Sequence, residues 1–398
     1  MKPLRIRWGP FPSGVAVLWL VSGLSAPATA EIHIVRPDGS GDYPTIQEAV
    51  DAASAGDFIE LAAGTFTGPG NRGIQVPDLE ITIRSEGGNP DQCIIDCEDA
   101  AQGFYIQASD AGTVLQGFTV TRGHTNETGG GMHISGGLVG ATVADCVFLR
   151  NSAGLGGGGV WDASARANFL RCRFIENASP MGGAVVASST QGHLINPGFE
   201  DCEFIRNSAS GSGAAVFLEV IQVGVRSDRD GVFRTCLFAE NSAPGGSCVT
   251  LGGTSPTLES CTFANNIVSS NIGCRFYGGP SDPLVSHCII AFSTEGRAVS
   301  CDVQSQPVLL CCDVFGNEGG DWVGCLEGQL GVGGNIWADP LFCDREGGDF
   351  RLEIGSPCGP EANRNCGLIG ALPVGCGSTA TQETSWGGVK ALFRGKAK

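Results

Sequence analysis

One short pattern of apolar and polar positions recurs along the chain. It reads apolar residue, two variable residues, Cys, one variable residue, Phe, two variable residues, Asn. Five complete copies occupy 143–151, 169–177, 199–207, 233–241 and 258–266, and weaker copies begin at Val285 and Leu309. From Cys146 to Cys312 the cysteines of these copies are on average about 28 residues apart, which indicates a structural repeat.

A glycine-rich segment follows each copy and leads into a second apolar run, as in 156–160 and 182–186. No helical periodicity occurs between Phe58 and Asp339, so each unit is predicted to hold short strands only. Such repeats predict an all-β fold. We expect a single-stranded right-handed parallel β-helix (solenoid) of roughly ten coils, with equivalent residues stacked about 4.8 Å apart.

Stacking of like positions predicts two structural ladders. Because Cys and Phe alternate with their neighbours, the Phe side chains should form one interior file, and the Asn side chains a hydrogen-bonded ladder at a corner. The predicted members are Phe148, Phe174, Phe204, Phe238 and Phe263 in the first ladder, and Asn151, Asn177, Asn207, Asn241 and Asn266 in the second.

Charged residues beside these ladders alternate in sign from one copy to the next. The position before Asn reads Arg150, Glu176, Arg206, and the position before Cys opens with Asp145 and Arg171. In a parallel stack this order pairs opposite charges, whereas a slipped register would bring like charges together. The alternation therefore supports the register independently of the apolar pattern.

The densest exposed patch of charges provides the catalytic candidates. A glycosidase or lyase needs carboxylates close together, or an acidic calcium site beside an arginine. The alternating signs favour mutual neutralisation, so a structural role is preferred to a catalytic one. The candidates are Asp145, Asp201, Glu203, Arg171 and Arg173, with Arg206 in the same patch.

Other potential chemistry is sparse. His124 and His133 flank a glycine-rich segment without the spacing of metal ligands, so we interpret them as satisfied loop histidines and predict no metal and no cofactor. Trp161 follows a glycine corner and is either exposed for sugar stacking or buried.

Both ends of the solenoid need covers, because an open end exposes unpaired strand edges. Thr45 and Glu48 form a capping-box pattern, with Ile46, Ala49 and Val50 on one face of a predicted N-terminal capping helix. Segment 335–376 is rich in Gly, Pro and Cys and is predicted to be a disulfide-braced C-terminal cap. Segment 377–398 is a linker followed by a short basic tail, interpreted either as a sorting signal or as a frayed end.

Composition and the first residues bear on location. The chain has 398 residues with a formal charge of −17, which repels phosphate backbones and excludes nucleic-acid binding. Residues 1–30 have a basic start, a ten-residue apolar run at 15–24 and a small-residue cleavage site, as in a secretory signal peptide. The β-helix domain is thus predicted over 31–376, and the protein is expected to be secreted or at the cell surface of a bacterium.

The 18 cysteines fit an oxidising compartment. Those of the repeat are either small buried apolar residues or partners in bridges between adjacent coils. Local bridges are predicted for Cys93 with Cys97 and for Cys358 with Cys366.

The Phe-x-x-Asn motifs followed by Gly-Gly-Ala-Val resemble the repeats of chlamydial polymorphic membrane proteins. The body resembles secreted right-handed β-helix proteins with a pectin-lyase-like fold, and the start DGSGDYPTIQEAVDAA is similar to that of pectinesterases. The resemblance is specific for the fold and implies less about function. The chain lacks the two catalytic-aspartate motifs of pectinesterases, and it lacks the Asp-Asp, Gly-His-Gly and Arg-Ile-Lys motifs of polygalacturonases.

The sequence therefore predicts an exported, non-catalytic β-helix that acts as a surface or adhesion-type scaffold. The alternative is a polysaccharide-active enzyme, either a lyase or a hydrolase, or a carbohydrate-binding protein that uses the exposed face of the β-helix. Expected partners are a surface polysaccharide or another cell-surface protein. The protein is expected to be a monomer without a transmembrane segment in its mature form.

Overall fold

A computed structural model describes residues 30–107, 112–136, 140–163, 166–189, 196–220, 231–275 and 279–376. Three long sheets run along one axis, and every strand pair within them is parallel. From β2 to β32, each coil contributes a strand to the first sheet, then one to the second and one or two to the third. Parallel strands joined by crossovers are right-handed in nearly all proteins, so this is the predicted right-handed parallel β-helix. The predicted signal peptide and basic tail lie outside the described residues.

Within the described ranges, the first sheet has 11 strands. They are β1 (Ile32–Val35), β2 (Phe58–Leu61), β5 (Thr82–Ser85), β8 (Val114–Gln116), β12 (Thr142–Ala144), β16 (Asn168–Leu170), β20 (Gly198–Glu200), β24 (Val232–Arg234), β27 (Thr257–Glu259), β30 (Leu284–Ser286) and β33 (Val308–Leu310).

Among the described residues, the second sheet has 10 strands, and each follows a strand of the first sheet along the chain. They are β3 (Gly64–Phe66), β6 (Cys93–Asp96), β9 (Thr119–Thr121), β13 (Val147–Leu149), β17 (Arg173–Ile175), β21 (Glu203–Ile205), β25 (Leu237–Ala239), β28 (Thr262–Ala264), β31 (Ile289–Ala291) and β34 (Asp313–Phe315).

In the part of the chain that the structure describes, the third sheet has 13 strands and bends in the middle of several coils. They are β4 (Ile74–Val76), β7 (Phe104–Gln107), β10 (His124–Thr125), β11 (Met132–Ser135), β14 (Ser152–Ala153), β15 (Val160–Asp162), β18 (Ala178–Met181), β19 (Val185–Ser189), β22 (Ser208–Ser212), β23 (Val216–Val220), β26 (Ser242–Gly252), β29 (Ile267–Arg275) and β32 (Arg297–Cys301).

The repeat phenylalanines form a single interior stack. Consecutive ring centroids from Phe148 to Phe263 lie 5.2, 4.8, 4.8 and 4.5 Å apart, with interplanar angles of at most 7°. The apolar residue that opens each pattern supplies a second stack, Phe169, Phe199 and Phe233, which meets the first edge-on. Each fully buried ring contributes roughly 1.5 to 3 kcal/mol from removal of apolar surface from water.

The repeat asparagines form a fully buried ladder. The Oδ1 of Asn177 accepts from the backbone N–H of Asn151 at 3.0 Å and from its Nδ2 at 3.1 Å, while the Nδ2 of Asn177 donates to the Phe148 carbonyl at 2.9 Å. Asn207 and Asn241 repeat the same pattern. The ladder therefore satisfies backbone groups that the tight corner leaves without a strand partner.

Each corner before an inward Cys or Asn is made by a residue in the left-handed region. Asp145, Arg150, Arg171 and Glu176 have φ between 52° and 55°. This conformation costs an L-residue roughly 1–2 kcal/mol, so it persists only because the stacked coils on either side determine it. It also turns these charged side chains outward.

The cysteines of the repeat are buried free thiols, not bridges between coils. From Cys172 to Cys312, each of these thiols donates to a carbonyl of the preceding coil, as Cys172 Sγ does to Val143 O at 3.3 Å. Burial raises the pKa of the Cys146 thiol to about 12, so it stays protonated at neutral pH. The interpretation as small buried residues is confirmed for this file.

Both predicted local disulfides are wrong. Cys93 and Cys97 are buried free thiols four residues apart along extended backbone, a separation of roughly 13 Å that a disulfide cannot span. Cys366 pairs with Cys311 rather than Cys358, which is also a free thiol. The other bridges are Cys301–Cys325 and Cys343–Cys376, so the predicted bracing of the C-terminal cap is confirmed with different partners.

The N-terminal cap is a short helix, α1 (Ile46–Ala52). Its N-cap residue Thr45 accepts from the Glu48 backbone N–H at 3.3 Å, and Ile46, Ala49 and Val50 are buried against the first coil. The predicted capping helix is confirmed.

The C-terminal segment covers more than the end of the solenoid. Its antiparallel strands β35 (Phe342–Asp344) and β36 (Asp349–Leu352) follow a short 3₁₀ turn (Gly324–Leu326) and pack on the outward face of the second sheet. There they bury apolar side chains of the last coils, among them Leu237 and Ile289. At the last strand of the first sheet, β33, the Leu309 N–H donates to Gln329 Oε1 at 2.9 Å, so a side chain replaces the next strand as its partner.

Candidate functional site

The catalytic candidates before each Cys lie at the corner between the first and second sheets. Arg171 makes a bidentate pair with Asp145, with Nε to Oδ1 at 2.7 Å and Nη2 to Oδ2 at 2.8 Å. The Arg171 hydrogen bond holds the pKa of Asp145 below its usual range. Asp201 occupies the same corner one coil further and adds a weaker attraction that helps raise the Arg171 pKa.

Arg173 and Glu203 lie elsewhere, on the outward face of the second sheet, where they are register partners on adjacent strands. Arg173 also pairs with Asp91 at 2.9 Å. Burial raises the pKa of Glu203, although Arg173 partly opposes the shift. The five candidates are thus divided between a corner and a sheet face.

A third charged file, Arg150, Glu176 and Arg206, runs along the corner between the second and third sheets. Arg150 Nε donates to Glu176 Oε2 at 2.6 Å, and Arg206 pairs with the other carboxylate oxygen. Burial alone would raise the pKa of Glu176, but the two arginines outweigh it and the pKa is lowered. This carboxylate is held ionised and cannot act as a proton donor near neutral pH.

An outward file of ring side chains crosses the third sheet. Tyr105, His133 and Trp161 are register partners on β7, β11 and β15, and all are partly exposed. The Tyr105 and His133 rings stack at 4.9 Å, and Thr128 Oγ1 lies 2.9 Å from His133 Nδ1. Burial lowers the pKa of His133.

This file was not recognised from the sequence, although its members are 28 residues apart, which is the repeat length. His133 lies on a strand rather than in the predicted loop, but its hydrogen bond agrees with a satisfied histidine. His124 is likewise partnered, with Nδ1 2.9 Å from Ser152 Oγ. Among the described residues, no three His, Cys, Asp or Glu side chains are grouped as a metal site would require.

Beside the bend of the third sheet lies a groove of about 460 Å³. It crosses β14, β18, β22 and β26, so its length along the axis is roughly 14 Å, or three strand spacings. The lining consists only of small or ring-constrained residues: Ala153, Ala178, Ser179, Pro180, Ser208, Ala209, Ser210, Ser242 and Pro244.

The groove floor is formed by stacking of like positions. Ala178, Ser208 and Ser242 are successive register partners, and Pro180, Ser210 and Pro244 each follow two residues later in the chain. The side chains of Ser208 and Ser210 are exposed, while Ser179 Oγ donates to the Met181 carbonyl at 2.6 Å. The groove therefore presents both hydroxyl groups and small apolar surfaces.

Exposed apolar side chains flank the groove where the chain bends toward the next strand. Leu155 and Met181 are 52% and 39% exposed. The indole of Trp161 lies against Gly156, because a Cβ at Gly156 would fall 2.9 Å from Trp161 Cζ3 and 3.3 Å from the Met181 carbonyl oxygen. The ring file and the groove are therefore neighbours on the same sheet.

No protein-family model and no curated protein matches the chain. Among solved structures, it is similar to pectate lyase Pel9A, with 15% identity, 87% of this chain and 97% of the other covered, and a TM-score of 0.42. A rhamnogalacturonan lyase has 13% identity, coverages of 71% and 87%, and a TM-score of 0.38. The A-module of the Azotobacter vinelandii mannuronan C-5 epimerase AlgE4 has 13% identity, coverages of 69% and 91%, and a TM-score of 0.37.

Similarity this low gives no information on the chemistry of this chain, and the fold rests on the strand pairing itself. In the part of the chain that the structure describes, no helix has the length and apolar character needed to cross a bilayer.

Proposed function

We propose that this chain is an exported β-helix scaffold that binds an uncharged polysaccharide strand along the groove of the third sheet without cleaving it. The observation that carries the proposal is the groove lining, which spans four strands and contains hydroxyls and small apolar side chains but no ionisable group.

The chemistry of the groove matches a neutral glycan. Sugar hydroxyls both donate and accept, as the exposed Ser208 and Ser210 hydroxyls do, and the apolar faces of sugar rings fit Ala178 and Pro180. A polymer of acidic sugars would place carboxylates in a lining without a cation, on a protein with a formal charge of −17. A neutral strand avoids this repulsion.

Binding without cleavage follows from where the ionisable groups lie. Glycoside hydrolysis uses two carboxyl groups whose environments separate their pKa values. The groove lining supplies none, and Asp145 and Glu176 are held ionised by arginines at corners of the coil. The charged files are best explained as stabilisers of coil stacking.

One observation favours the enzymatic alternative, a polysaccharide lyase or glycoside hydrolase. The lowered pKa of His133 keeps its imidazole neutral at neutral pH, as a general base requires, and Tyr105 supplies an adjacent hydroxyl. Incubation with neutral and acidic polysaccharides, followed by measurement of new reducing ends and unsaturated products, tests this alternative. Turnover that is lost in His133→Gln or Asp201→Ala would favour it over binding alone.

The binding proposal is tested by filling the groove. Ser208→Phe places a ring on the groove floor, whereas Ser286→Phe makes the same change on the outward face of the first sheet. We expect Ser208→Phe to weaken binding to neutral glucans, mannans or xylans at least tenfold, and Ser286→Phe to leave it unchanged. Equal binding by both variants, or binding restricted to pectate or alginate, would contradict the proposal.

Export and location belong to the same proposal. It predicts that the protein recovered outside the cytoplasm begins at Glu31, which N-terminal sequencing of the secreted form would show. A mature form that retains the apolar run at 15–24 would contradict export through a cleaved signal.

A further inference from the structure

The second sheet has apolar side chains on its outward face as well as inside. In the last coils, outward residues such as Leu237, Ala239 and Ile289 are buried because Phe342 and Phe350 of the C-terminal segment pack on them. A parallel sheet that is apolar on both faces needs a cover on each.

One of the two outward files stays apolar in the earlier coils, where Leu149, Ile175 and Ile205 precede Ala239. In the other file, Val147 is followed by the charged Arg173 and Glu203 before Leu237. Val147, Leu149, Ile175 and Ile205 are only 4%, 4%, 1% and 4% exposed and form their own hydrophobic cluster. No other hydrophobic residue within the described ranges belongs to this cluster. We refer to these four side chains as the outer stripe.

We propose that segment 377–398 folds back along the second sheet and covers the outer stripe with Trp386, Val389 and Phe393. These three apolar residues have the i, i+3, i+7 spacing of one helix face and follow a polar linker of nine residues. The segment would thus extend the cover that 339–376 already provides over the last coils.

Segment 377–398 begins on the same face of the second sheet as the outer stripe. The Ala371 N–H donates to Thr262 Oγ1 at 2.9 Å on the second sheet, and Cys376 is bonded to Cys343 in β35 on the same face. Thr262 is two register steps from Glu203, or roughly 10 Å. The linker is long enough to cross this distance and reach Ile205 and Ile175.

Charge favours the same occupant. Segment 377–398 has four cations and one acid, and it holds every lysine of the chain except Lys2. Glu203 points outward within the stripe, and burial raises its pKa, as a covered carboxyl requires. Arg173, the register partner of Glu203, already offsets part of the cost of burying this carboxyl, and a nearby Lys390 or Arg394 would add to that offset.

The distribution of lysine provides a direct assay. A lysine-specific protease can cut the chain that begins at Glu31 only after Lys390 and Lys396, because the rest of the body contains no lysine. We expect cleavage after Lys390 to be at least about tenfold slower in the unchanged protein than in Ile175→Glu, since docking must open before the bond is cut. Val308→Glu, which changes a 48% exposed outward residue of the first sheet, should not alter the rate.

Phe393→Ser is a control for the possibility that Ile175→Glu misfolds, because residue 393 lies outside the β-helix domain. It should accelerate cleavage after Lys390 to a similar extent while the β-sheet circular dichroism spectrum is retained. Equal cleavage rates in the unchanged protein, Ile175→Glu and Phe393→Ser would overturn the proposal. Protection that disappears on dilution would also overturn it and assign the cover to a second copy.

Discussion

The buried asparagine ladder leads to the most specific stability prediction. In Asn207→Ala, the backbone N–H and the Nδ2 of Asn177 lose their shared acceptor, and the Phe174 carbonyl loses its donor. All three groups are buried, and each one left without a partner costs about 1–3 kcal/mol. Allowing for partial relaxation, we expect a loss of about 3 to 6 kcal/mol in the free energy of unfolding. Asn168→Ala removes an exposed amide on the first sheet and should cost less than about 0.5 kcal/mol.

Hydrogen exchange can localise this effect. In Asn207→Ala the backbone amide proton of Asn177 should exchange far faster. The amide proton of Arg173, in the same coil as Asn177, donates to the Cys146 carbonyl of the preceding coil and should keep its protection. Urea denaturation supplies the total free energy. If Asn207→Ala and Asn168→Ala unfold at the same urea concentration, the ladder does not stabilise the corners and the reasoning fails.

Three further predictions concern single groups. Asp313 is buried under the C-terminal segment, and this burial is the main reason that its pKa is raised to about 7. The free energy of unfolding should therefore fall by up to about 1.4 kcal/mol per pH unit as the pH rises from about 4 to about 7. Asp313→Asn should abolish this slope in urea titrations. Replacing Cys311 and Cys366 by Ser opens a loop of 55 residues, which should cost about 4 kcal/mol and expose 339–376 to proteolysis before the β-helix unfolds. Arg171→Ala should raise the pKa of Asp145, measured by NMR titration, yet cost under about 1 kcal/mol because the pair is near the surface.

The interior of the fold was predictable because the period of the sequence equals the period of the structure. Each Phe of the repeat lies directly above the Phe of the previous copy, as Phe174 does above Phe148. The same register brings Arg150 beside Glu176. The recurring pattern places these files even though consecutive phenylalanines from Phe148 to Phe263 are 25 to 34 residues apart.

The disulfides were not predictable in this way. Cys311 and Cys366 are joined by a segment that leaves the repeat and returns over the outside of the solenoid. Spacing favoured nearby cysteines, but the extended backbone between Cys93 and Cys97 keeps them apart. Only the three-dimensional course of the segment brings the true partners together.

The outer face of the second sheet did leave a signal that the interpretation missed. Strands β13 and β25 are apolar at all three positions, including the two that flank the inward Phe. Such runs are typical of sheets buried on both faces. The groove left almost none, because Ala, Ser and Pro at 178–180 and 208–210 also occur in ordinary turns.

The most direct test of the proposed function is a crystal structure of the protein soaked with a neutral oligosaccharide. The account predicts an intact strand that lies along the groove in contact with Ala178, Ser208 and Ser242. Sugar bound at His133 or Asp201 instead, or a cleaved product in the crystal, would contradict it.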